Sequence, residues 1–358
     1  KLLYLSIAHK WFMMKGTNIH KEGVDWMKAW ILNQAGGPEN FELQEIDRPI
    51  AQAGEALVKV KAIGINRHDV MSRNSLKPDA SLEDRVIGIE IAGEVVDIHT
   101  DGTESSPVAV GDHVAGIITH GAYAEYARIP LSRAMIFPKD TPFTKAAAIP
   151  EAFMTAYQTM YWIGDLHQGE RILVHAAGSS VGTAAIQLAN HLSKAEIFAT
   201  AGRQDKLDLA KELGAQTTIN YKEENFADVI SEATDNRGVD VILDFIGASY
   251  ANKNASAIGQ EGRWVLIGVL GGTVVPDFDM GQLLFKRVKL QGTLLSPRSD
   301  DYKARLVADV NKEVVPLIAD GTIQPVIDTV MVFDRLPEAH EYMEANKNLG
   351  KIIISLED

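Results

Sequence analysis

Ile172-Leu173-Val174-His175-Ala176-Ala177-Gly178-Ser179-Ser180-Val181-Gly182-Thr183-Ala184-Ala185-Ile186-Gln187-Leu188-Ala189 joins a short apolar run to a turn of small residues and then to a helix-like segment. A buried strand that feeds directly into a helix is how a parallel sheet is started. The same pattern recurs downstream. Ile197-Phe198-Ala199-Thr200 reads as a second strand and is followed by a helical stretch over 205–213 that Gly214 closes. Val239-Asp240-Val241-Ile242-Leu243-Asp244 and Trp264-Val265-Leu266-Ile267-Gly268 continue the series. Strands alternating with helices at this spacing predict βαβ units and a doubly wound parallel sheet covered on both faces.

Outside that stretch the pattern changes. Ala56-Leu57-Val58-Lys59-Val60-Lys61-Ala62-Ile63 alternates in part and is rich in β-branched residues, as a half-buried strand should be. Gly93-Glu94-Val95-Val96-Asp97-Ile98 and Asp112-His113-Val114-Ala115-Gly116 have similar character, with a polar turn cluster over 100–107 between them. After Leu294 a helix is expected near 300–320, then the β-like Thr329-Val330-Met331-Val332-Phe333, a short helix and the strand Lys351-Ile352-Ile353-Ile354-Ser355. The expectation is an α/β nucleotide domain over roughly 150–295, inserted into a β-rich domain built from 27–149 and 296–358.

A length of 358 residues suits two domains, and 46% hydrophobic with 23% charged residues is globular composition. The net charge of −13 disfavours binding to nucleic acid or to an anionic membrane surface. There is no cysteine at all, which removes disulfides, thiolate nucleophiles and every Cys-ligated zinc site. The chain starts at Lys1, and residues 1–26 read as a non-native or poorly ordered extension, with a basic amphipathic targeting remnant as the alternative. No apolar run approaches the ~20 residues of a membrane helix, so the expected location is cytoplasmic.

The turn over Ala176–Gly182 lacks the strict G-x-G-x-x-G pattern. It keeps small residues where backbone must approach a pyrophosphate, and Gly182 where the helix must pack close to the sheet. An ordinary strand-to-helix turn would look similar. The end of the second strand is more telling: an NAD site places a carboxylate there for the ribose hydroxyls. Here it reads Ala199-Thr200-Ala201-Gly202-Arg203-Gln204-Asp205-Lys206. Arg203 and Lys206 offer positive charge instead, which a 2′-phosphate requires, so NADP is expected over NAD.

These segments together give a specific resemblance. Gly36-Gly37-Pro38-Glu39-Asn40, Asn66-Arg67-His68-Asp69-Val70-Met71, Ala147-Ala148-Ile149-Pro150-Glu151-Ala152, Gly262-Arg263-Trp264-Val265-Leu266, Leu284-Phe285-Lys286-Arg287 and Tyr342-Met343-Glu344-Ala345-Asn346-Lys347-Asn348 resemble the zinc-free quinone oxidoreductase branch of the medium-chain dehydrogenase/reductase superfamily. Within it the p53-inducible quinone oxidoreductase type is most similar. The resemblance implies a Rossmann-type sheet inserted into a GroES-like catalytic domain, NADPH in the cleft, and a homodimer formed through the nucleotide domain. Carried over residue by residue, it implies cofactor contacts at Thr155, Ala177, Ser179, Val181, Gly202, Lys206, Tyr221, Gly247, Gly268, Asn346 and Lys351. Asn66 stands where zinc-dependent relatives keep a cysteine, Ile89 where they keep a histidine, and Ala148-Ile149-Pro150 where the third ligand falls.

Without a metal site, a cysteine or a triad, hydride transfer is the chemistry that remains, since the cofactor carries it and the protein supplies orientation. The expected acceptor is a quinone or the β-carbon of an activated alkene, with Asn66 as a polar orienting group and solvent as the proton source. A non-catalytic NADPH-binding sensor is a third reading. His68 reads as a local hydrogen-bonding side chain. Lys77 replaces the tyrosine that relatives carry in the substrate loop, and Tyr123 and Tyr126 are expected in core or edge-strand roles rather than in its place.

Overall fold

The computed structural model describes residues 25–100, 102 and 108–357. The expected N-terminal extension lies outside the described residues except for Asp25 and Trp26, as does the polar turn cluster except for Thr100 and Gly102. The strands are β1 (Trp26–Leu32), β2 (Phe41–Asp47), β3 (Glu55–Ile65), β4 (Glu90–His99), β5 (His113–Ile117), β6 (Tyr126–Pro130), β7 (Met135–Phe137) and β8 (Arg171–Val174). They continue with β9 (Glu196–Ala201), β10 (Thr217–Asn220), β11 (Val239–Asp244), β12 (Ile258–Leu266), β13 (Lys289–Gly292), β14 (Ile327–Val332) and β15 (Lys351–Ser355).

The first region folds as a β assembly. β1 and β2 form an antiparallel pair, and a seven-stranded sheet runs β14-β15-β3-β4-β5-β7 with β6 also paired to β3. β15 enters this sheet between β14 and β3, with Ile352 opposite Ile65 and Ile354 opposite Ile63. Residues far apart in sequence therefore complete one layer, and the chain between them forms the other sheet. The long apolar strand β3 is buried along most of its length, which suits its central place.

β8 to β13 form a six-stranded, all-parallel sheet in the order β10-β9-β8-β11-β12-β13. In sequence terms this is third, second, first, fourth, fifth, sixth, the Rossmann order, and the GroES-like β domain lies around it. Alternate side chains face opposite layers, as the period of two demands. Ile172, Val174, Val241 and Leu243 join one apolar core, and Leu173, Ile242 and Trp264 join the other. Each aliphatic side chain buried this way contributes roughly 1.5–3 kcal/mol relative to an exposed one. The chain reverses its strand order between β8 and β11, so the crevice at their C-terminal ends is where a ligand is received.

Three devices shape that crevice. Helix Ser180–Leu188 starts at Ser179, whose hydroxyl accepts from the Gly182 N–H at 3.0 Å. Gly182 is required there, because a Cβ would lie 2.5 Å from the Ala176 carbonyl oxygen. At the end of β11, buried Asp244 accepts from the N–H groups of Ile246 and Gly247 and from Asn254 Nδ2 and Trp264 Nε1. That carboxylate holds Gly247 at φ +76°, a conformation open to glycine.

Candidate active site

The cleft between the two sheets is built first from small residues. A side chain at position 178 would meet the stem of Lys206 at 2.6 Å, and one at 202 would meet the Tyr221 hydroxyl at the same distance. At 247 and 268 the neighbours are the Gly272 carbonyl oxygen and the Phe245 carbonyl oxygen, each 2.9 Å from where a Cβ would sit. Ala177 is buried against the second strand, its N–H donating to the Thr200 carbonyl at 3.0 Å. Val181 lies in the first turn of the helix that Ser179 caps. Of the N–H groups of that turn, Gly182's is taken by the Ser179 hydroxyl, and those of Ser180 and Val181 have no acceptor within the helix. These positions fit a dinucleotide: small residues let the strand ends and their neighbours pack close, and a helix N-terminus stands beside them.

Positive charge gathers at the second-strand end. Lys206 lies along Gly178 with its Nζ 3.4 Å from the Asn346 carbonyl, and burial together with the nearby Arg203 pushes its pKa down. The Tyr221 hydroxyl and the Lys222 side chain both stand over Gly202. Arg203 is less available than its place in the sequence implies. It pairs with Asp205 through two hydrogen bonds and donates to the Lys347 carbonyl at 3.0 Å. Two cations were missed from the sequence. Lys222 directly follows Tyr221, and Arg67 directly follows Asn66. Arg67 reaches the Asn346 side chain at 2.7 Å and the Met343 carbonyl at 3.0 Å. Burial holds its pKa below the usual guanidinium value.

The C-terminal segment ties this pocket to a second group of polar side chains. The Gly350 N–H donates to the Gly178 carbonyl at 2.9 Å, beside a bridge between Ser179 and Gly350. The next residue, Lys351, turns its ammonium inward. It lies 2.6 Å from Asn66 Oδ1, 2.5 Å from Glu90 Oε2 and 3.9 Å from Glu151 Oε2. Asn66 Nδ2 donates to Glu90 Oε2 at 3.0 Å and to the Gly64 carbonyl at 3.1 Å. Asn66, Glu90 and Lys351 are all buried. Lys351 was expected at the cofactor; its ammonium is committed to Asn66 and Glu90, and its neighbour Gly350 makes the contact with the glycine turn.

Thr155 sits in helix Pro150–Tyr157, its hydroxyl 3.4 Å from Glu151 Oε1. The Glu151 carboxyl has a raised pKa, because burial outweighs the stabilising charge of Lys351. Glu90 and Glu151 were also missed from the sequence. Glu90 lies next to Ile89 and Glu151 next to Pro150, at the two other positions compared with zinc ligands, so the signal was adjacency. Tyr123 takes the expected core role. Its hydroxyl bonds Asp69 Oδ2 at 3.0 Å and His340 Nε2 at 2.8 Å, and burial pushes its pKa well up. Tyr126 lies on β6 with the Arg48 guanidinium 4.2 Å over its ring.

The positions compared with zinc ligands hold other groups. Asn66 and Glu90 are engaged by an ammonium, Ile89 offers no donor, and no cluster of three or more His, Asp or Glu groups suited to a metal occurs among the described residues. The crevice does fit a dinucleotide, whose nicotinamide supplies or accepts a hydride when bound.

Two family models match the chain. Residues 52–139 match the model "Alcohol dehydrogenase GroES-like domain" and residues 180–312 the model "Zinc-binding dehydrogenase". Among curated proteins, the chain is 31% identical over 330 residues to highly-reducing polyketide synthase 1 of Aureobasidium melanogenum, covering 91% of this chain but only 14% of that one. It is 27% identical over 343 residues to quinone oxidoreductase-like protein 2 of Bos taurus, covering 92% and 97%. Among solved structures, a mycobacterial protein complexed with NADPH superposes with a TM-score of 0.81 at 27% identity, covering 92% of this chain and 99% of that one. The CurK enoyl reductase superposes with a TM-score of 0.80 at 27% identity, over 92% and 99%. With both halves of the fold matched, and a dinucleotide crevice between them, the chain belongs to the medium-chain dehydrogenase/reductase superfamily, oxidoreductases that use NAD(P).

Proposed function

We propose that this protein is a zinc-independent reductase that uses NADPH to deliver hydride to a conjugated carbonyl acceptor, either a quinone or the β-carbon of an enone or enal. The observation that carries the reading is the Asn66–Lys351–Glu90 group beside the glycine crevice. The Lys351 side chain takes the place a catalytic cation would need, so polarisation of the acceptor falls to hydrogen-bond donors of the chain. Asn66 orients the acceptor, while Lys206, Lys222 and Tyr221 hold the 2′-phosphate and Arg67 and Asn346 line the same cleft. Thr155, Ala177, Ser179, Val181, Gly202, Gly247 and Gly268 supply the remaining cofactor contacts, with the segment from Asn346 to Lys351 closing over them. The quinone name of one relative and the enoyl reductase name of one structural neighbour support the two acceptor classes.

We further propose that two copies associate through the edge of the parallel sheet. β13 is exposed along its whole length, and Leu284 and Phe285 of the neighbouring helix Met280–Lys286 are 72% and 76% exposed. An exposed sheet edge flanked by apolar side chains is a pairing surface.

The test is a turnover panel of ortho-quinones against α,β-unsaturated aldehydes and ketones, with NADPH and NADH titrated against the wild type and Lys206→Ala. Oxidation of NADPH by members of the panel, and a preference for NADPH that Lys206→Ala weakens, are the expected results. Tight NADPH binding with no oxidation by any acceptor would make the protein a sensor. Equal binding of the two cofactors would sink the 2′-phosphate assignment.

A further inference from the structure

We infer that His68, oriented by Asp69, is the general acid that protonates the substrate carbon after hydride addition to an enone or enal, a role that quinone reduction does not need. The inference rests on the reductase reading above. It starts from an unsatisfied atom. Asp69 Oδ2 accepts from the Asn66 N–H at 2.8 Å and from the Tyr123 hydroxyl at 3.0 Å, but Oδ1 is buried without a hydrogen-bond partner. Leaving a buried carboxylate oxygen unpaired is costly, so such an atom is held for a donor that approaches. The nearest candidate is His68 Nδ1, 3.9 Å away and also 3.4 Å from Ser72 Oγ. A ring movement of about 1 Å brings it to bonding distance, and the imidazole is then fixed by its Nδ1–H with Nε2 free to act.

Position supports the same role. His68 follows Asn66 and Arg67, is 39% exposed at its side chain, and stands at the start of helix Arg67–Asn74. Ser72, which touches it, lines an open pocket of about 430 Å³ where Leu76, Ile87 and Ile89 share the wall with Lys77, Asp79 and Asp84. A volume of that size accepts a small organic molecule. His68 thus touches one wall residue of that pocket and lies two positions along the chain from Asn66. The charged groups facing it are Asp69 from its own helix and Glu151 from helix Pro150–Tyr157, with Lys351 behind Glu151. The two carboxylates outweigh burial and raise its pKa, Asp69 contributing most.

The chemistry balances without further reagents. Hydride from NADPH forms the new C–H bond at the β-carbon, and the alkene π electrons move toward the carbonyl, giving an enolate. The enolate α-carbon takes the Nε2 proton, the N–H bond electrons remain on the now neutral imidazole, and solvent at the exposed ring edge restores the proton. Carbon is protonated slowly without a positioned acid, whereas the oxygen of a reduced quinone takes a proton from water directly. The two acceptor classes therefore depend on His68 differently.

The experiment compares wild type with His68→Gln and His68→Asn. Expected is a loss of enone turnover on the order of 10²-fold, the low end for general acid catalysis, with quinone turnover within a few fold of wild type. Enone turnover by the wild type should fall as pH rises through the His68 pKa, and that limb should vanish in both variants. In D₂O the wild type should place deuterium on one face of the α-carbon, and the variants on both. In the cofactor-free protein, the NMR titration of His68 should lie above 6.5 and drop in Asp69→Asn. Unchanged enone turnover, pH profile and stereochemistry in His68→Gln would overturn the role of His68 while leaving the reductase reading intact. Failure of every acceptor with the wild type would overturn the reductase reading itself.

Discussion

Lys351 Nζ lies 2.5 Å from Glu90 Oε2, and neither side chain reaches solvent. Two opposite charges in such a place gain little over an apolar pair, yet each is indispensable once the other is present. Lys351→Met leaves the Glu90 carboxylate in the interior without its counter-charge, held only by the Asn66 amide and the Glu151 N–H, and is expected to cost about 3–5 kcal/mol of stability. Lys351→Met combined with Glu90→Gln should recover much of that loss. Urea unfolding of the three proteins reads it directly, and a double variant as unstable as the single one would show that the pair is not coupled.

The Lys222 side chain shares the space over Gly202 with the Tyr221 hydroxyl. Lys222→Ala should weaken NADPH binding by roughly tenfold, about 1.4 kcal/mol, and leave NADH binding unchanged. Gly202→Ala places a methyl 2.6 Å from that hydroxyl and should impair both cofactors. Fluorescence titration separates the two patterns. An equal effect of Lys222→Ala on both cofactors would remove it from the 2′-phosphate pocket.

His340 is enclosed by Tyr123, Arg73 and Phe41, and burial chiefly holds its pKa down to about 4 from an ordinary 6.5. The unfolded chain binds a proton there between pH 6.5 and pH 4 while the folded chain does not. Stability therefore falls as pH drops through that window and stops falling from this source near pH 4. The loss is about 3 kcal/mol at most. In His340→Gln, a denaturation series over the same window should lose this portion of the slope; an unchanged slope would assign the acid sensitivity elsewhere.

The exposed strand β13 carries Leu290 at its centre, 47% exposed. Leu290→Arg should shift the protein from dimer to monomer in sedimentation velocity, without loss of NADPH binding. A wild type that sediments as a monomer at micromolar concentration would end the dimer proposal.

The parallel sheet was legible because its central strands carry apolar runs closed by turns, from Ile172–Val174 to Trp264–Leu266, whereas the edge strands β10 and β13 are largely polar. The glycine crevice was legible for a related reason: Gly178, Gly182 and Gly202 sit where a side chain has no room, and that shows as a run of small residues. The Asn66–Glu90–Lys351 group was only partly visible. Asn66 drew notice as a replacement, but Glu90 and Lys351 lie in strands that pair with β3 from opposite sides, and no local pattern announces that they meet. Arg203 shows the opposite failure. Its charge was plain in sequence, and its neutralisation by Asp205 is a matter of rotamer and loop shape.

The placement of β15 has a consequence for how the chain reaches its native state. Lys351 and Asn66 are 285 positions apart, and the strand that starts at Lys351 is flanked on both sides in its sheet. On a ribosome the parallel sheet is translated whole before that strand emerges, so it can collapse early, while the surrounding β domain waits as an open layer. The same late segment brings Gly350 to Gly178. Nascent chains therefore pass through a stage with a nearly finished nucleotide fold and an unsealed hydrophobic edge at β3, which is the stage at which chaperones would meet them.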